Sequence, residues 1–483
     1  MTKTLPRRLP PIEKRPDWVF ALLFFLYPLV VGLLVQLVLL PYVFPAWHAG
    51  DGLLDGLDSR AFHRLAVQQA EKIVIEGWKA WSLAPEGQPV AGIASAFYAL
   101  ISPHPWVLLP LNAILHALAA WTVYKTLRFF LDNCWFAILA SLPIMLFPSS
   151  LYWVSQLHND NYAVTGMVLL GYGCACFARE KSWHDKRIVI SGILAFLSGG
   201  ALVWLVRDYA IKMFTAVGSV ILIFLIVIFL VRLFRSRWPW KRASLSIGIV
   251  ILSFFAIFSM RNFKLAGSKI SDEPINIKVV SDTSTNSTSA ENKNSAENKK
   301  WKYSPWLPPW LDNQIRLLSR TRASTIRDWM DEKGGEAGSN IDTDVNFHDA
   351  GQVICYLPRA VQVGFLSPFP TDWFDQGKKA PSAMMRRISG MEMLFVYLCW
   401  PGLFYAIWVW RKRPELWIWL LFCVGMLLIY VLGTPNVGSL YRFRYPFIMP
   451  MVGLGTAGWI TIIRDFSTRA KSRLKIASPL SNN

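Results

Sequence analysis

"WVFALLFFLYPLVVGLLVQLVLLPYVF", residues 18–44, contains no charged side chain. Coiled as a helix at ~1.5 Å per residue, it is long enough to cross a ~30 Å hydrocarbon core with length to spare. Immediately after it comes "GDGLLDGLDSRAFHRLA", residues 50–66, where Asp51, Asp55 and Asp58 are set among three glycines. An apolar anchor followed at once by acids is the pattern from which the remaining sequence can be understood.

The same apolar signal recurs about ten times: near 18–44, 105–127, 134–153, 160–178, 188–206, 212–233, 244–260, 391–410, 415–432 and 446–463. With 483 residues, 53% hydrophobic and only 17% charged, the chain has too little charge to cover a soluble surface of this size. The expected fold is therefore an all-α polytopic membrane protein of about ten transmembrane helices. The first apolar stretch is too long for a signal-peptide core and is expected to remain as an anchor.

A net charge of +19 raises the question of nucleic acid, but the distribution of that charge points elsewhere. Basic residues crowd alternate connections: Lys3 to Arg15, Lys125 and Arg128, Arg179 to Arg187, Arg232 to Arg242, Arg411 to Arg413, and Arg464 to Lys475. Short connections between these are poorer in Lys and Arg. By the positive-inside rule both termini are expected in the cytoplasm, the protein in the plasma (inner) membrane, and the aspartate-rich loop outside. No nucleic-acid partner is indicated. Of six cysteines, only Cys355 falls in an outward connection, so neither a disulfide framework nor a thiolate zinc site is expected.

Three regions follow. An N-terminal membrane module, 1–260, contains the first outward loop, 45–104. From Ser59 onward, Phe62, Leu65, Ala66, Ile73, Gly77, Trp78 and Trp81 recur at helical spacing, predicting an amphipathic helix at the membrane interface. The apolar piece 89–101 is too short to span. A second outward segment, 261–390, begins with a flexible linker (270–300) carrying the polar run "SDTSTNSTSAENKNSAENKK" and the sequon Asn286-Ser287-Thr288. Its remainder, 301–390, is expected to be ordered at the membrane, with Val353, Leu357, Val361 and Phe365 on one helix face and Pro358 kinking or starting that helix. A C-terminal group of helices and a basic tail, 391–483, completes the chain.

Several outward-facing residues have side chains suited to chemistry. Asp58 is placed either to cap the following helix or to act as a general base, and Asp51 and Asp55 suit turns among glycines. In "PSSLYWVSQLHNDNYAV" (148–164), Asp160 opens a span beside His158; Asn159 or Asp160 suits a helix start equally well. Arg207, in "WLVRDYA", stands at an outward span end, either snorkelling to the interface with Asp208 as partner or meeting an anion. In "GSLYRFRYPFIMP" (438–450), Arg442 and Arg444 alternate with Tyr441, Phe443 and Tyr445; read as an extended stretch, both guanidiniums point the same way and suit one phosphate. Arg316, Arg320, Arg322 and Arg327 form either a solvated helix face or a guide for an anionic headgroup. No P-loop, dinucleotide fingerprint, HExxH or GxSxG motif accompanies them.

This arrangement resembles the GT-C superfamily of integral-membrane glycosyltransferases, which includes the protein O-mannosyltransferases and the bacterial lipid A aminoarabinose transferases. In that superfamily the first outer loop carries an Asp, often followed by a second acid, with Tyr four positions after the first. The matching register here is Asp58-Ser59-Arg60-Ala61-Phe62, so Ser59 stands for the second acid and Phe62 for the tyrosine. The resemblance extends to Asp160 in the second outer loop, Arg207 at a span end, and the Arg442–Arg444 stretch before the last span. It implies a polyprenyl-phosphate-linked sugar donor and an acceptor glycan, lipid or protein, with Asp58 or Asp55 as base. Arg442 and Arg444, with Arg207, Asp160, His158 and Tyr441, would then surround the donor. A divalent metal near Asp55, Asp58 and Asp160 is compatible but not demanded. The rival class is a polymerase or ligase acting on lipid-linked glycans. A secondary transporter fits less well, because it would carry its acids at mid-membrane.

Overall fold

The computed structural model describes residues 16–55, 58–235, 238–263, 301–332, 339–374 and 380–477. The linker 270–300, its sequon, and the basic residues before Pro16 lie outside them. Fifteen α-helices account for most of the described chain: α1 (Pro16–Leu34), α2 (Asp58–Glu76), α3 (Pro89–Leu100), α4 (Leu109–Leu127), α5 (Cys134–Leu146), α6 (Pro148–Val154), α7 (Asn159–Ala178), α8 (Lys186–Val206), α9 (Asp208–Phe234), α10 (Trp240–Met260), α11 (Pro309–Glu332), α12 (Ala350–Leu366), α13 (Ala380–Trp410), α14 (Pro414–Gly433) and α15 (Val437–Ala477). Pairing between extended segments, among the described residues, is limited to the isolated bridges His48–Leu54 and Asn340–Asn436.

Nine helices among the described residues are long and apolar enough to cross a membrane, and a tenth crossing results if α5 and α6 form one span. That expected span is bent by 62°. The cause is local: Phe147, preceding Pro148, adopts an extended conformation (ψ 126°), as steric conflict with a following proline ring favours. The first span also departs from a plain α-helix, continuing from α1 through wider π-helical turns over Val35–Val43. Gln36, in this π-helical segment, is buried, and π segments often occur at functional sites.

Helix α7 is the hub of the bundle. All but the first of its residues are buried, against α4, α8, α14 and α15. Small residues permit this: a Cβ on Gly166 would lie 2.7 Å from the Gly199 carbonyl, and one on Gly192 would lie 2.7 Å from Cys176 Cβ. Close backbone approach of this kind is how helices associate where lipid tails provide no hydrophobic contrast. Gly402 of α13 and Gly455 and Gly458 of α15 build a second such seam.

Hydrogen bonds between connections define two faces. On one, Arg413 donates to the Phe129 carbonyl, Arg232 to the Ala178 carbonyl at 2.5 Å, and Arg242 to His184 at 3.3 Å. The basic connections are thus gathered on this face. On the other, Leu54 N–H donates to Gln156 Oε1 at 3.0 Å, Trp204 to the Phe263 carbonyl at 3.1 Å, and Val437 N–H to the Ser339 carbonyl at 2.8 Å. This second face carries the aspartate loop and is called the loop face below.

Two expectations for the loop face need correction. The amphipathic helix forms as α2, but its apolar side, including Phe62, Ala66 and Ile73, is buried within the protein, where Phe62 and Ala66 join α3 residues Val90 and Ala94 in one core cluster, rather than against lipid. Helix α12 continues through Pro358 rather than starting there, with Asp349 capping it through a 2.9 Å bond to Gln352 N–H. Of the expected apolar face, Val353 is buried and Leu357 and Phe365 pack against the core, together with Ala360, Val363 and Gly364, while Val361 is exposed. Tyr356 and Arg359 bond to Asp342. Arg322 also belongs to this substructure. It is fully buried and donates to the carbonyls of Asp342 (2.6 Å), Val345 (3.1 Å) and Leu432 (3.4 Å), pinning α11 and the 342–345 turn to the end of α14.

Candidate functional site

Buried amides position the aspartate loop. Gln156, in the turn between α6 and α7, accepts from Leu54 N–H and donates to the Gly52 carbonyl at 3.2 Å. Gln36 donates to the Ser155 carbonyl at 2.6 Å, and Asn112 of α4 donates to the Val154 (2.9 Å) and Gln156 (3.2 Å) carbonyls. Leu53 and Leu54 are buried beneath. Each buried carbonyl and amide would be costly without a partner, so the network fixes the 50–55 turn against the start of α7.

At that start lies the ionic centre of the site. Asp160, with no exposed surface, receives Arg207 on Oδ1, and His158 Nδ1 (2.9 Å) and Arg442 Nη1 (3.3 Å) on Oδ2. Arg442 also faces His158 Nε2 at 3.3 Å. A guanidinium only donates, so Nε2 is the acceptor and the His158 proton sits on Nδ1, directed at Asp160. Arg207 is stacked 4.4 Å from the Phe443 ring. One carboxylate thus faces two permanent cations and an imidazole, leaving a surplus positive charge. Arg207 is enclosed at 9% side-chain exposure, whereas Arg442 is 26% exposed and presents the surplus to the open side. The first turn of α7 adds its unpaired N–H groups to this field.

Four residues far apart in sequence, His158, Asp160, Arg207 and Arg442, are therefore in one cluster. Asp208 is not the partner of Arg207; it accepts from Tyr209 N–H at 2.8 Å instead. Asp58 follows the 50–55 turn that Gln156 holds against the start of α7, so it lies on the same face. Asp58 opens α2, is exposed, and has no hydrogen-bond or ion-pair partner among the described residues. Asp55 is also exposed, and its N–H donates to the Trp47 carbonyl at 2.9 Å.

Arg442 and Arg444 do not converge on one ligand. The stretch expected to be extended is the first part of helix α15, and two positions along a helix turn the side chain by ~200°. Arg444 is buried, donates to the Gly364 carbonyl at 2.9 Å and Ser367 Oγ at 3.4 Å, and approaches Met393 Sδ at 3.1 Å. It fastens α12 and α13 to α15. Tyr441 donates to Glu392 Oε2, whose Oε1 accepts from Ser149 N–H at 2.7 Å. Glu392 escaped notice in the sequence, although an acid inside the apolar run "SGMEMLFVY" was a legible signal.

Asp51 also acquires an environment that sequence spacing did not reveal. It takes a left-handed backbone (φ 52°) and faces His63 Nε2 and His104 Nδ1, each at 3.5 Å. Burial pushes the His63 imidazole below its usual range, although the neighbouring Asp51 charge opposes this. Among the described residues, no group of three or more His, Cys, Asp or Glu side chains is arranged to hold a metal ion, at Asp55, Asp58 and Asp160 or elsewhere.

Compared with known protein families, curated proteins and solved structures, the chain matches none.

Proposed function

We propose that this protein is a membrane glycosyltransferase that moves a sugar from a polyprenyl-phosphate-linked donor to an acceptor glycan, lipid or protein at the loop face. In this reading the loop face is extracytoplasmic, and the face gathering the basic connections is cytoplasmic, as the positive-inside rule favours. The observation that carries the reading is the Asp160 cluster. Its surplus charge emerges through Arg442, on the face that also carries the Asp58 carboxylate.

The chemistry needs these two charges in distinct roles. An acceptor hydroxyl gives its proton to Asp58 while its oxygen forms a bond to the anomeric carbon. The bond from that carbon to the donor phosphate breaks, and its electron pair stays on the phosphate oxygen. Direct displacement inverts the anomeric centre. Arg442 meets the growing phosphate charge, which a water-poor interface would otherwise leave poorly solvated. Arg207, Asp160 and His158 act through Arg442, holding its guanidinium in place. Arg444 and Tyr441 serve the framework rather than the donor.

The test is transfer from a lipid-linked sugar in membranes carrying Asp58→Asn, Asp55→Asn or Arg442→Gln, each checked for normal abundance. Loss of a general base costs typically 10²–10⁴ in rate, and Asp58→Asn is expected to fall in that range. Loss in Asp55→Asn alone would move the base to Asp55. Normal transfer in both aspartate variants would overturn the mechanism and favour a polymerase or ligase relying on arginines.

A further inference from the structure

A second polar site lies on the same face, outside the Asp160 cluster. The 49–53 turn and one side of α2 border an open pocket of about 390 Å³, lined by Asp51, Arg60, His63, Arg64 and Gln68 over Leu53 and Val67. This volume is within the ~300–1,000 Å³ usual for small-molecule sites. Arg60 and Arg64 are one helical turn apart on the same side of α2, where their guanidiniums can meet one anion. Both are exposed, and neither has a hydrogen-bond or ion-pair partner among the described residues. Asp58 precedes Arg60 by two positions and so faces away from it, ~200° round the helix.

The inner wall is built rather than incidental. Tyr98, itself buried, meets His63 Nδ1 at 3.0 Å with the rings edge to face, which turns Nε2 toward Asp51. His104 approaches Asp51 from the other side. Gly50, Asp51 and Gly52 all have positive φ (98°, 52° and 73°), and a Cβ on Gly52 would strike Gln36 at 2.7 Å. Gly52 N–H donates to His48 Nε2 at 2.9 Å, holding the turn. For a non-glycine residue a left-handed backbone is unfavourable, so the surrounding contacts hold Asp51 where it is.

We propose that this cavity binds an anionic saccharide unit, a sugar carrying a carboxylate or a phosphate. Arg60 and Arg64 take the anion, Asp51 and Gln68 take ring hydroxyls, and Leu53 and Val67 meet the apolar side of the ring. Two unpartnered guanidiniums call for negative charge. The Asp51 carboxylate in the same lining disfavours a bare polyanion and favours a ligand that also donates hydroxyl hydrogen bonds. The binding claim does not rest on the transfer reading.

The full chain in nanodiscs of zwitterionic lipid would be titrated with glucuronate, glucose 6-phosphate, glucose and inorganic phosphate, with binding read by saturation-transfer NMR. Binding of either sugar anion in preference to glucose is expected, and which one binds distinguishes a uronate from a phosphosugar. Replacing both arginines (Arg60→Gln with Arg64→Gln) should weaken it by roughly tenfold or more, since two charge-assisted bonds are lost. Asp51→Asn should weaken binding of the sugar anions, because the acceptor for their ring hydroxyls is lost. Equal binding of glucose or of inorganic phosphate, or full retention in the double arginine variant, would each overturn the proposal. So would absence of binding by the unaltered protein.

Discussion

Asp160→Asn removes one negative charge while conserving volume, and the structure indicates what that costs. Arg207 and Arg442 then lack their counter-ion, and Arg207 has almost no solvent to replace it. At an effective dielectric of about 20, a pair of unit charges ~4 Å apart is worth roughly 4 kcal/mol. Removing one partner of a buried pair typically costs about 3–5 kcal/mol. Stacking of Arg207 on Phe443 survives the substitution and cancels in the comparison. The expected result is a fall of roughly 5 °C or more in the apparent midpoint of thermal unfolding, followed by tryptophan fluorescence in detergent. A second change, Arg207→Met, removes the orphaned charge with similar volume and should recover more than half of the loss, because the two residues are coupled rather than additive. Arg442→Gln alone should change the midpoint little, since part of that guanidinium already meets solvent. An Asp160→Asn protein as stable as the original, or a double variant showing the sum of two losses, would refute the description of this cluster as a buried ion centre.

Other perturbations follow from the same geometry. Gly458→Ala places a methyl group against the Gly402 carbonyl, and overpacking of about 1–3 kcal/mol should appear as a lower unfolding midpoint and faster proteolysis. Arg322→Met removes three bonds to carbonyls, so hydrogen exchange should quicken across 339–349 and leave α7 protected. Gln156→Leu should release the 50–55 turn, seen as faster exchange there without loss of the helical bundle. Burial raises the Asp342 carboxyl, but hydrogen bonds from Arg359 and Tyr356, with the Arg359 and Arg322 charges, prevail and hold it below the usual carboxylate range. Its folded value is therefore below the ~3.9 of the unfolded chain. Protection of the 339–345 segment should stay level from pH 7 to 5 and decline only below about pH 4, as the pH falls toward the folded value. A decline already complete at pH 5 would contradict this.

Much of the architecture was legible because span formation is set by local composition. Length, lack of charge and the spacing of basic connections identified the helices and sorted their ends, and periodicity located α2. The bend between α5 and α6 was legible only in part: Pro148 was visible, but not that its effect would split a span. The candidate site was legible as a set of residues and not as an arrangement. Asp160, His158, Arg207 and Arg442 stood out because polar groups at the edge of apolar runs are costly. Arg444 stood out for the same reason, yet it belongs to the framework because the segment is helical rather than extended. The pairings of Glu392 and of the histidines facing Asp51 were not legible because the partners lie from 12 (His63) to 49 (Tyr441) and 53 (His104) positions away.

By itself the sequence determined that this chain forms helices long and apolar enough to cross a membrane, and roughly how many. Those properties are sums over neighbouring residues: transfer of apolar surface and exclusion of charge depend on composition within a window of about twenty positions. Only the tertiary structure decided which polar side chains meet. That depends on the rotation of each helix about its axis, which is fixed by glycine seams such as Gly166–Gly199 and by amide staples such as Gln156. A turn of ~100° per residue separates a side chain facing the cavity from one facing the core. Arg442 and Arg444, two positions apart, fall on opposite sides of that division.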